Sequence, residues 1–308
     1  MRTNHETAYA LYMSTNGFRD RIVRTPQLWQ DIADDAEKAI ERIQQLGVRI
    51  HGSSRFTQYR KILRAVQQHE ASAVQSARDF SLAHQAVSEI GELSSILDSI
   101  EEMHEPDPWI AKLATAVNGP VLIEDECRSS IARDTQFELS IASRAVSGGL
   151  DVQLGEPDIL IGTSTFQTGI AAKRVTSRAQ LRKRIREAAR QVGASGKPGF
   201  ICLDLSLIAH PREGFLQVDS STIAAMKVRL AADSLCSQCR SELRSMHERT
   251  KQSIIAVLVY VLCIYRRSDS TGFGSVTRWS FGSMLADDDP RSELLAQLYR
   301  GLEKGLAF

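Results

Sequence analysis

The segment EPDILIGTSTFQTGIAAKR, residues 156–174, contains two short apolar runs joined by a polar connection. Proline is tolerated at the start of a strand, so Pro157 precedes a strand predicted at Asp158–Ile161. The connection over Gly162–Thr168 is rich in residues that favour turns. A second strand is predicted at Gly169–Val175. The neighbouring elements are assigned relative to these two strands.

When the flanking residues are included, the predicted order of elements is helix, three strands, helix and strand. The helix before the strands ends at Gly148-Gly149, and the helix after them follows Ser177, a favourable N-cap residue. The last strand is a continuous apolar run, which is typical of a central strand covered on both faces. This order predicts an α/β fold with a mixed central sheet flanked by helices. The further predicted elements are helix Ile131–Val146, strand Val152–Leu154, helix Arg178–Val192 and strand Phe200–Leu205.

The first third of the chain is predicted to be helical, because apolar residues recur there at helical spacing. The sequence Glu105-Pro106-Asp107-Pro108 interrupts this pattern and predicts a domain boundary. We therefore expect a helical N-terminal region over residues 1–107 and an α/β domain with a C-terminal elaboration over residues 108–308. The N-terminal helices are predicted at Leu28–Leu46, Arg55–Ser76 and Phe80–Met103. The elaboration comprises predicted helices Ser221–Ser234, Ser241–Gln252 and Ser292–Lys304 and predicted strands Ile254–Ile264 and Val276–Phe281.

The composition is that of an ordinary globular protein, with 308 residues of which 43% are hydrophobic and 24% charged. These values exclude collagen-like, coiled-coil and largely disordered chains. The longest apolar run, Ile254–Tyr265, is too short for a membrane helix of about 20 residues and is interpreted as a buried strand. No secretory signal is recognisable near Met1, and the five cysteines are an odd number. Both observations predict a reducing, cytoplasmic location.

Three side chains of the predicted elements are of the types that phosphodiester hydrolysis requires. Asp158 begins one strand, Lys173 lies near the end of the next, and Glu138 belongs to the preceding helix. Hydrolysis needs oxygen ligands for a hard divalent cation, a positioned water and positive charge beside the phosphate. If the strand ends converge, two carboxylates and an ammonium form a magnesium site.

The order of elements, together with Pro157-Asp158 and Lys173, resembles the PD-(D/E)xK, or restriction-endonuclease-like, nuclease superfamily. The resemblance covers residues 131–205, about a quarter of the chain. It implies a restriction-endonuclease-like core in which Asp158 binds the metal and Lys173 positions or activates water. Some branches add a Glu from the preceding helix and a Gln from the following one, which correspond here to Glu138 and Gln191. The implied cofactor is Mg²⁺ or Mn²⁺, with Asp158, Glu138 and Ala172 as metal ligands.

One position departs from the family pattern. The family has Asp or Glu two residues before the lysine, whereas this chain has Ala171. Glu138 can replace the missing ligand from the neighbouring helix, and Glu156 is a weaker candidate. If neither does so, the fold is that of a degenerate nuclease. The expected function is metal-dependent cleavage of DNA, in bacterial defence or a mobile element. The alternative is a non-catalytic nucleic-acid-binding or scaffold subunit.

The net charge of +1 conceals two segments of opposite sign. Lys173–Lys197 carries nine basic residues and one acid, whereas Asp79–Asp107 carries eight acids and no Lys or Arg. Arginines spaced by four in the basic segment fall on one helix face, which is either an ordinary solvated surface or a site for phosphates of DNA. The residues predicted to contact nucleic acid are Arg174, Arg178, Arg182, Arg186 and Arg190.

The acidic segment has no assigned role in cleavage. Its acids fall largely off the apolar stripe of the predicted helix Phe80–Met103, so we expect a solvent-exposed acidic face. A protein partner or a homo-oligomer would give this face a function, and a chain without nuclease activity could use it as a protein-interaction module. If the acidic face instead meets the basic segment, it could mask the site.

Overall fold

The computed structural model describes residues 29–69, 77–119, 131–162, 167–209, 216–246, 253–268, 273–285, 289 and 291–304. The first helices are α1 Trp29–Gln45, α2 Arg55–His69, α3 Ala77–Glu101 and α4 Asp107–Val117. The central elements are α5 Ile131–Ser147, β1 Asp151–Leu154, β2 Ile159–Gly162, β3 Gln167–Arg174, α6 Arg178–Ala194 and β4 Gly199–Asp204. The last are α7 Ser206–Ala209, β5 Leu216–Val218, α8 Ser221–Arg244, β6 Ile254–Arg267, β7 Phe273–Ser283 and α9 Ser292–Lys304.

The described strands form one seven-stranded mixed sheet in the order β1-β2-β3-β4-β6-β5, with β7 also pairing with β6. The pairs β1–β2 and β2–β3 are antiparallel, whereas β3–β4 and β4–β6 are parallel. β5 is parallel to β6, and β7 is antiparallel to it. The predicted mixed α/β class is confirmed.

The two faces of the sheet are covered by different helices, because successive residues of a strand point to opposite faces. On β3, Ile170 and Ala172 belong to one apolar cluster, and Ala171 belongs to the other. The first cluster contains buried residues of α1 to α5 and of α9. The second contains buried residues of α6 and α8. The N-terminal helices therefore share a continuous core with one face of the sheet, while the domain boundary after residue 107 stays a prediction.

The interruption predicted at residues 105–108 is confirmed, since α3 ends at Glu101 and the next helix begins at Asp107. That next helix, α4, was not predicted. Pro108 lies in its first turn, where the missing N–H costs no hydrogen bond. Leu28 and residues 70–76, which were predicted to be helical, lie outside the described residues.

The prediction of two separate helices at Ser221–Ser234 and Ser241–Gln252 is wrong. α8 runs without a break to Arg244, because Leu235, Cys236 and Cys239 continue its buried face against the sheet. Residues 247–252 lie outside the described part of the chain. The predicted strand Val276–Phe281 is confirmed and is longer, since β7 extends along the partner strand β6 over Phe273–Ser283.

The expectation of a solvent-exposed acidic face on α3 is wrong for two of its acids. Glu89 and Glu92 are each 4% exposed and are bonded to arginines of other elements. Asp98 and Glu101 do lie near the surface, where both pair with Arg42 of α1. Two negative charges of α3 are therefore compensated by buried arginines rather than exposed to solvent.

Candidate active site

Asp158 and Lys173 form a buried ion pair where β2 begins and β3 ends. Asp158 directly precedes Ile159, whose register partner on β3 is Ile170, so its carboxylate lies beside the next residues of β3. Lys173 Nζ lies 2.9 Å from Asp158 Oδ2. The N–H of Ala172 donates to the same oxygen at 2.9 Å. Asp158 and Lys173 are 8% and 9% exposed, so the predicted carboxylate and ammonium meet in a largely water-excluded position.

Gln191 reaches the same carboxylate from the other side. It lies near the end of α6, and its Nε2 donates to Asp158 Oδ1 at 3.1 Å and to the carbonyl of Pro157 at 3.0 Å. Both oxygens of Asp158 are therefore held by hydrogen bonds from β3 and α6. The other amide atom, Gln191 Oε1, is buried and has no hydrogen-bond donor among the described residues.

Glu138 on α5 is the second carboxylate of the site. It is 9% exposed, and its Oε2 accepts a hydrogen bond from Lys112 Nζ of α4 at 2.7 Å. Burial raises the pKa of Glu138, and the negative charge of Asp158 raises it further. Lys112 and Lys173 act in the opposite direction without reversing the shift. Two carboxylates and two ammonium groups thus interact electrostatically in one place.

Ala171 does not supply a ligand, and no acidic side chain stands at its position. It is fully buried in the apolar cluster formed with α6 and α8. Within the described residues there is no group of three or more His, Cys, Asp or Glu side chains that could hold a metal ion. The side-chain oxygens gathered here are the carboxylates of Glu138 and Asp158 and the free Oε1 of Gln191.

Oxygens of these types are the ligands that hard divalent cations such as Mg²⁺ and Mn²⁺ prefer. Mg²⁺ is usually held by one or two carboxylates, while waters and substrate phosphates complete its coordination. Burial and repulsion from Asp158 raise the pKa of Glu138, while Lys112 and Lys173 already supply positive charge beside the two carboxylates. A buried acceptor without a partner, such as Gln191 Oε1, is rare in folded proteins and suits hydrogen bonding to water.

The arginine-rich face of α6 lies on the surface. Four arginines spaced by four are exposed, while the opposite side of the helix is buried in the second cluster. Arg182 Nε and Arg186 Nη2 lie 2.6 and 3.4 Å from Glu242 Oε1 of α8. Contact of this face with nucleic acid stays a prediction. The face consists of Arg178, Arg182, Arg186 and Arg190.

Arg174, which sequence analysis grouped with these arginines, is buried instead. It follows Lys173 on a strand, so its side chain points to the opposite face of the sheet, towards α3 and α5. Its Nη2 lies 2.9 Å from Glu92 Oε1, its Nε lies 2.7 Å from Asp204 Oδ2, and it is 5% exposed. The assignment of Arg174 to nucleic-acid binding is therefore corrected: it is an internal ion-pair partner.

Arg174 belongs to a larger set of buried charged and polar groups, which we call the buried ion network. Glu89 Oε2 lies 2.5 Å from Arg55 Nε, and Glu89 Oε1 lies 2.8 Å from Arg133 Nε. Burial on its own would raise the pKa of Glu89, but the two arginines lower it to about 2. Gln136 connects Glu92, the partner of Arg174, with the rest of the network, since its Nε2 donates to Glu92 at 2.9 Å. The members are Arg55, Glu89, Glu92, Arg133, Gln136, Arg174 and Asp204.

Sequence reasoning missed both Lys112 and the buried ion network. Lys112 lies in the unpredicted helix α4, whose available signal was the proline-containing first turn at Asp107-Pro108. The spacing of three between Glu89 and Glu92 indicates a shared helix face. It does not show burial, because their partners Arg55 and Arg174 are 34 and 82 residues away in the chain.

Comparison with known proteins gave no match: no protein-family model, curated protein or solved structure matches the chain. Among the helices that the structure describes, none is long and apolar enough to cross a membrane. The function proposed below is based on the side chains gathered around Asp158 and on the charges beside them.

Proposed function

We propose that the protein is a metal-dependent nuclease of the PD-(D/E)xK, restriction-endonuclease-like type that hydrolyses DNA. The observation that carries the proposal is the Asp158 carboxylate, which is bonded to Lys173 and Gln191 and interacts electrostatically with Glu138. These four residues come from α5, the start of β2, the end of β3 and α6, in the order that the family resemblance implies. A role in bacterial defence or in a mobile element is part of the same proposal.

Asp158 and Glu138 would hold the Mg²⁺ or Mn²⁺ ion, with the main chain at Ala172 beside them. When bound, the cation supplies positive charge that stabilises the negative charge developing on the phosphate. Gln191 and the N–H of Ala172 fix the orientation of the Asp158 carboxylate. This restricts the position of the ligand before substrate arrives, which is how preorganised sites avoid a reorganisation cost.

Lys173 would position the attacking water or a phosphate oxygen. An ammonium has three N–H donors, and Lys173 directs one of them to Asp158. The others remain for water or phosphate. In hydrolysis, the water oxygen bonds to phosphorus, the bond from phosphorus to the leaving oxygen breaks, and that oxygen takes up a proton. The exposed arginine face of α6 would hold the DNA backbone nearby, since arginine pairs well with phosphate oxygens.

The decisive test is a plasmid-cleavage assay with Mg²⁺, with Mn²⁺ and with EDTA. We expect the wild-type protein to nick DNA only with a divalent cation. The isosteric variants D158N and E138Q and the variant K173M should each lose about 100-fold or more of the rate. D35N and K38M change an exposed acid and an exposed lysine of α1 and serve as matched controls with wild-type rates. Absence of metal-dependent nicking, or wild-type nicking by D158N, would overturn the proposal.

A second candidate function is non-catalytic nucleic-acid binding by a degenerate nuclease fold. The observation that favours it is the complete burial of Ala171 in apolar packing at the position of the missing carboxylate. This candidate predicts DNA binding that weakens with salt and is unchanged in D158N and E138Q. Filter binding of a labelled duplex at several salt concentrations, run beside the cleavage assay, distinguishes the two functions.

A further inference from the structure

Lys112 forms an ion pair with Glu138, the second carboxylate of the candidate site. Lys112 Nζ lies 2.7 Å from Glu138 Oε2. Lys112 comes from α4, which precedes the elements that resemble the nuclease family. Its role is therefore not one that the family pattern assigns.

The charges of the site are already balanced by its own side chains. Glu138 and Asp158 contribute two negative charges, and Lys112 and Lys173 contribute two positive ones. A divalent cation added to this group would place four positive charges against two negative ones at close range. Because like charges at such distances repel strongly in a buried site, one ammonium must move away when the cation binds.

Lys112 is the ammonium that can leave. Its side chain is 30% exposed, whereas that of Lys173 is 11% exposed. A long lysine side chain near the surface can turn its ammonium towards water at little cost. Glu138 is more deeply buried than Lys112, and its neighbours Phe137 and Leu139 on α5 are fully buried.

We propose that Lys112 is an exchangeable internal cation that competes with the divalent metal for Glu138. It keeps the buried carboxylate paired when no metal is present, and it is released towards solvent when metal binds. The inference rests on the proposed function, since it assumes that Glu138 is a metal ligand. It adds that the affinity for metal is set by a residue outside the recognised motif.

The test measures Mn²⁺ binding directly, by the loss of the electron paramagnetic resonance signal of free Mn²⁺ in the absence of DNA. The proteins are the wild type, K112M, K112Q and K112R, with K38M as the control, because Lys38 is an exposed lysine paired with Asp35 on α1. All proteins are measured at the same pH. K112M and K112Q should bind Mn²⁺ about tenfold more tightly, the size expected for removal of a partly buried competing charge. K112R and K38M should bind like the wild type.

The outcomes separate this inference from the proposed function. Metal binding by K112M or K112Q but not by the wild type would also support it, since the ammonium would then block the site. If the wild type binds Mn²⁺ and both K112M and K112Q bind it equally or more weakly, the role of Lys112 is overturned. The nuclease proposal is not affected by that result. If no variant binds Mn²⁺ at millimolar concentration, the metal site itself is refuted. Thermal unfolding monitored by circular dichroism confirms that each variant is folded.

Discussion

Lys173 and Arg174 are adjacent in the chain, yet their side chains have different surroundings. Lys173 pairs with Asp158 in the candidate site, whereas Arg174 pairs with Glu92 and Asp204 on the other face of the sheet. The alternation of a β-strand is the cause. Two neighbouring cations that look equivalent in the sequence therefore have unrelated roles, one in proposed chemistry and one in stability.

We expect R174M to lower the free energy of unfolding by roughly 3–5 kcal/mol, because it leaves the carboxylates of Glu92 and Asp204 buried without their counter-charge. The matched control is R190M on the exposed face of α6, for which we expect a change below about 1 kcal/mol. Urea denaturation followed by circular dichroism measures both values. An R174M protein as stable as R190M would show that the ion pairs of Arg174 contribute little.

At the scale of the element, α6 combines three functions on one helix. Its apolar residues are buried beneath the sheet, Gln191 holds the candidate site, and its arginines face solvent. Two of those arginines share a single acid of the neighbouring helix α8, Glu242. The positive charge on the exposed face of α6 is therefore partly neutralised by another element of the same protein.

Removal of that acid should strengthen DNA binding. We expect E242Q to bind a duplex several-fold more tightly than the wild type in EDTA, because Arg182 and Arg186 become available to phosphates. The slope of log affinity against log salt concentration should steepen by about 1–2. Fluorescence anisotropy with a labelled duplex measures both quantities. D233N removes one negative charge elsewhere on α8 and is the control; an equal gain in both variants would show only a change in net charge.

At the scale of the whole molecule, the acidic and basic segments meet, but inside the protein. Glu92 of α3 pairs with Arg174 of the basic segment, and Glu89 pairs with Arg55 of α2 and Arg133 of α5. These contacts join the N-terminal helices to the core of the sheet. Glu89 and Glu92 of the acidic segment are therefore buried counter-charges for arginines inside the protein. They do not mask the arginine face of α6.

Acid should destabilise the molecule through Glu89. Its pKa is lowered from 4.5 to about 2 in the folded protein, so its ion pairs stabilise the fold fully above pH 4.5, and that stability is lost as the pH falls towards 2. We expect the free energy of unfolding of the wild type to decline over this range more steeply than that of E89Q. E92Q is the control, because burial raises the pKa of Glu92. The contribution of Glu92 to the pH dependence of the unfolding free energy therefore has the opposite sign. Urea titrations between pH 2 and 5 measure the slopes; equal slopes for wild type and E89Q would contradict this expectation.

Local pattern was sufficient for most elements. Apolar spacing predicts α5, α6 and α9, and the short apolar runs predict β2, β3, β4 and β6, because each of these elements buries a continuous stripe or run. Prediction from the local pattern failed where local signals conflicted with packing. Residues 235–240 were left between two predicted helices, yet Leu235 and Cys239 keep α8 buried against the sheet. At α4, Pro106 and Pro108 were interpreted only as an interruption of helical structure, although Pro108 lies in the first turn of a new helix.

The sequence by itself determined the order of the central elements from α5 to β4 and the residue types of the candidate site, since both depend on local spacing and on the chemistry of single side chains. Only the tertiary structure decided which charges are buried and which are paired. Lys112 reaches Glu138 from a different helix, and Glu92 reaches Arg174 across 82 residues of chain. Burial and pairing depend on distances between segments far apart in the chain, and those distances exist only after the sheet and its helices have packed together.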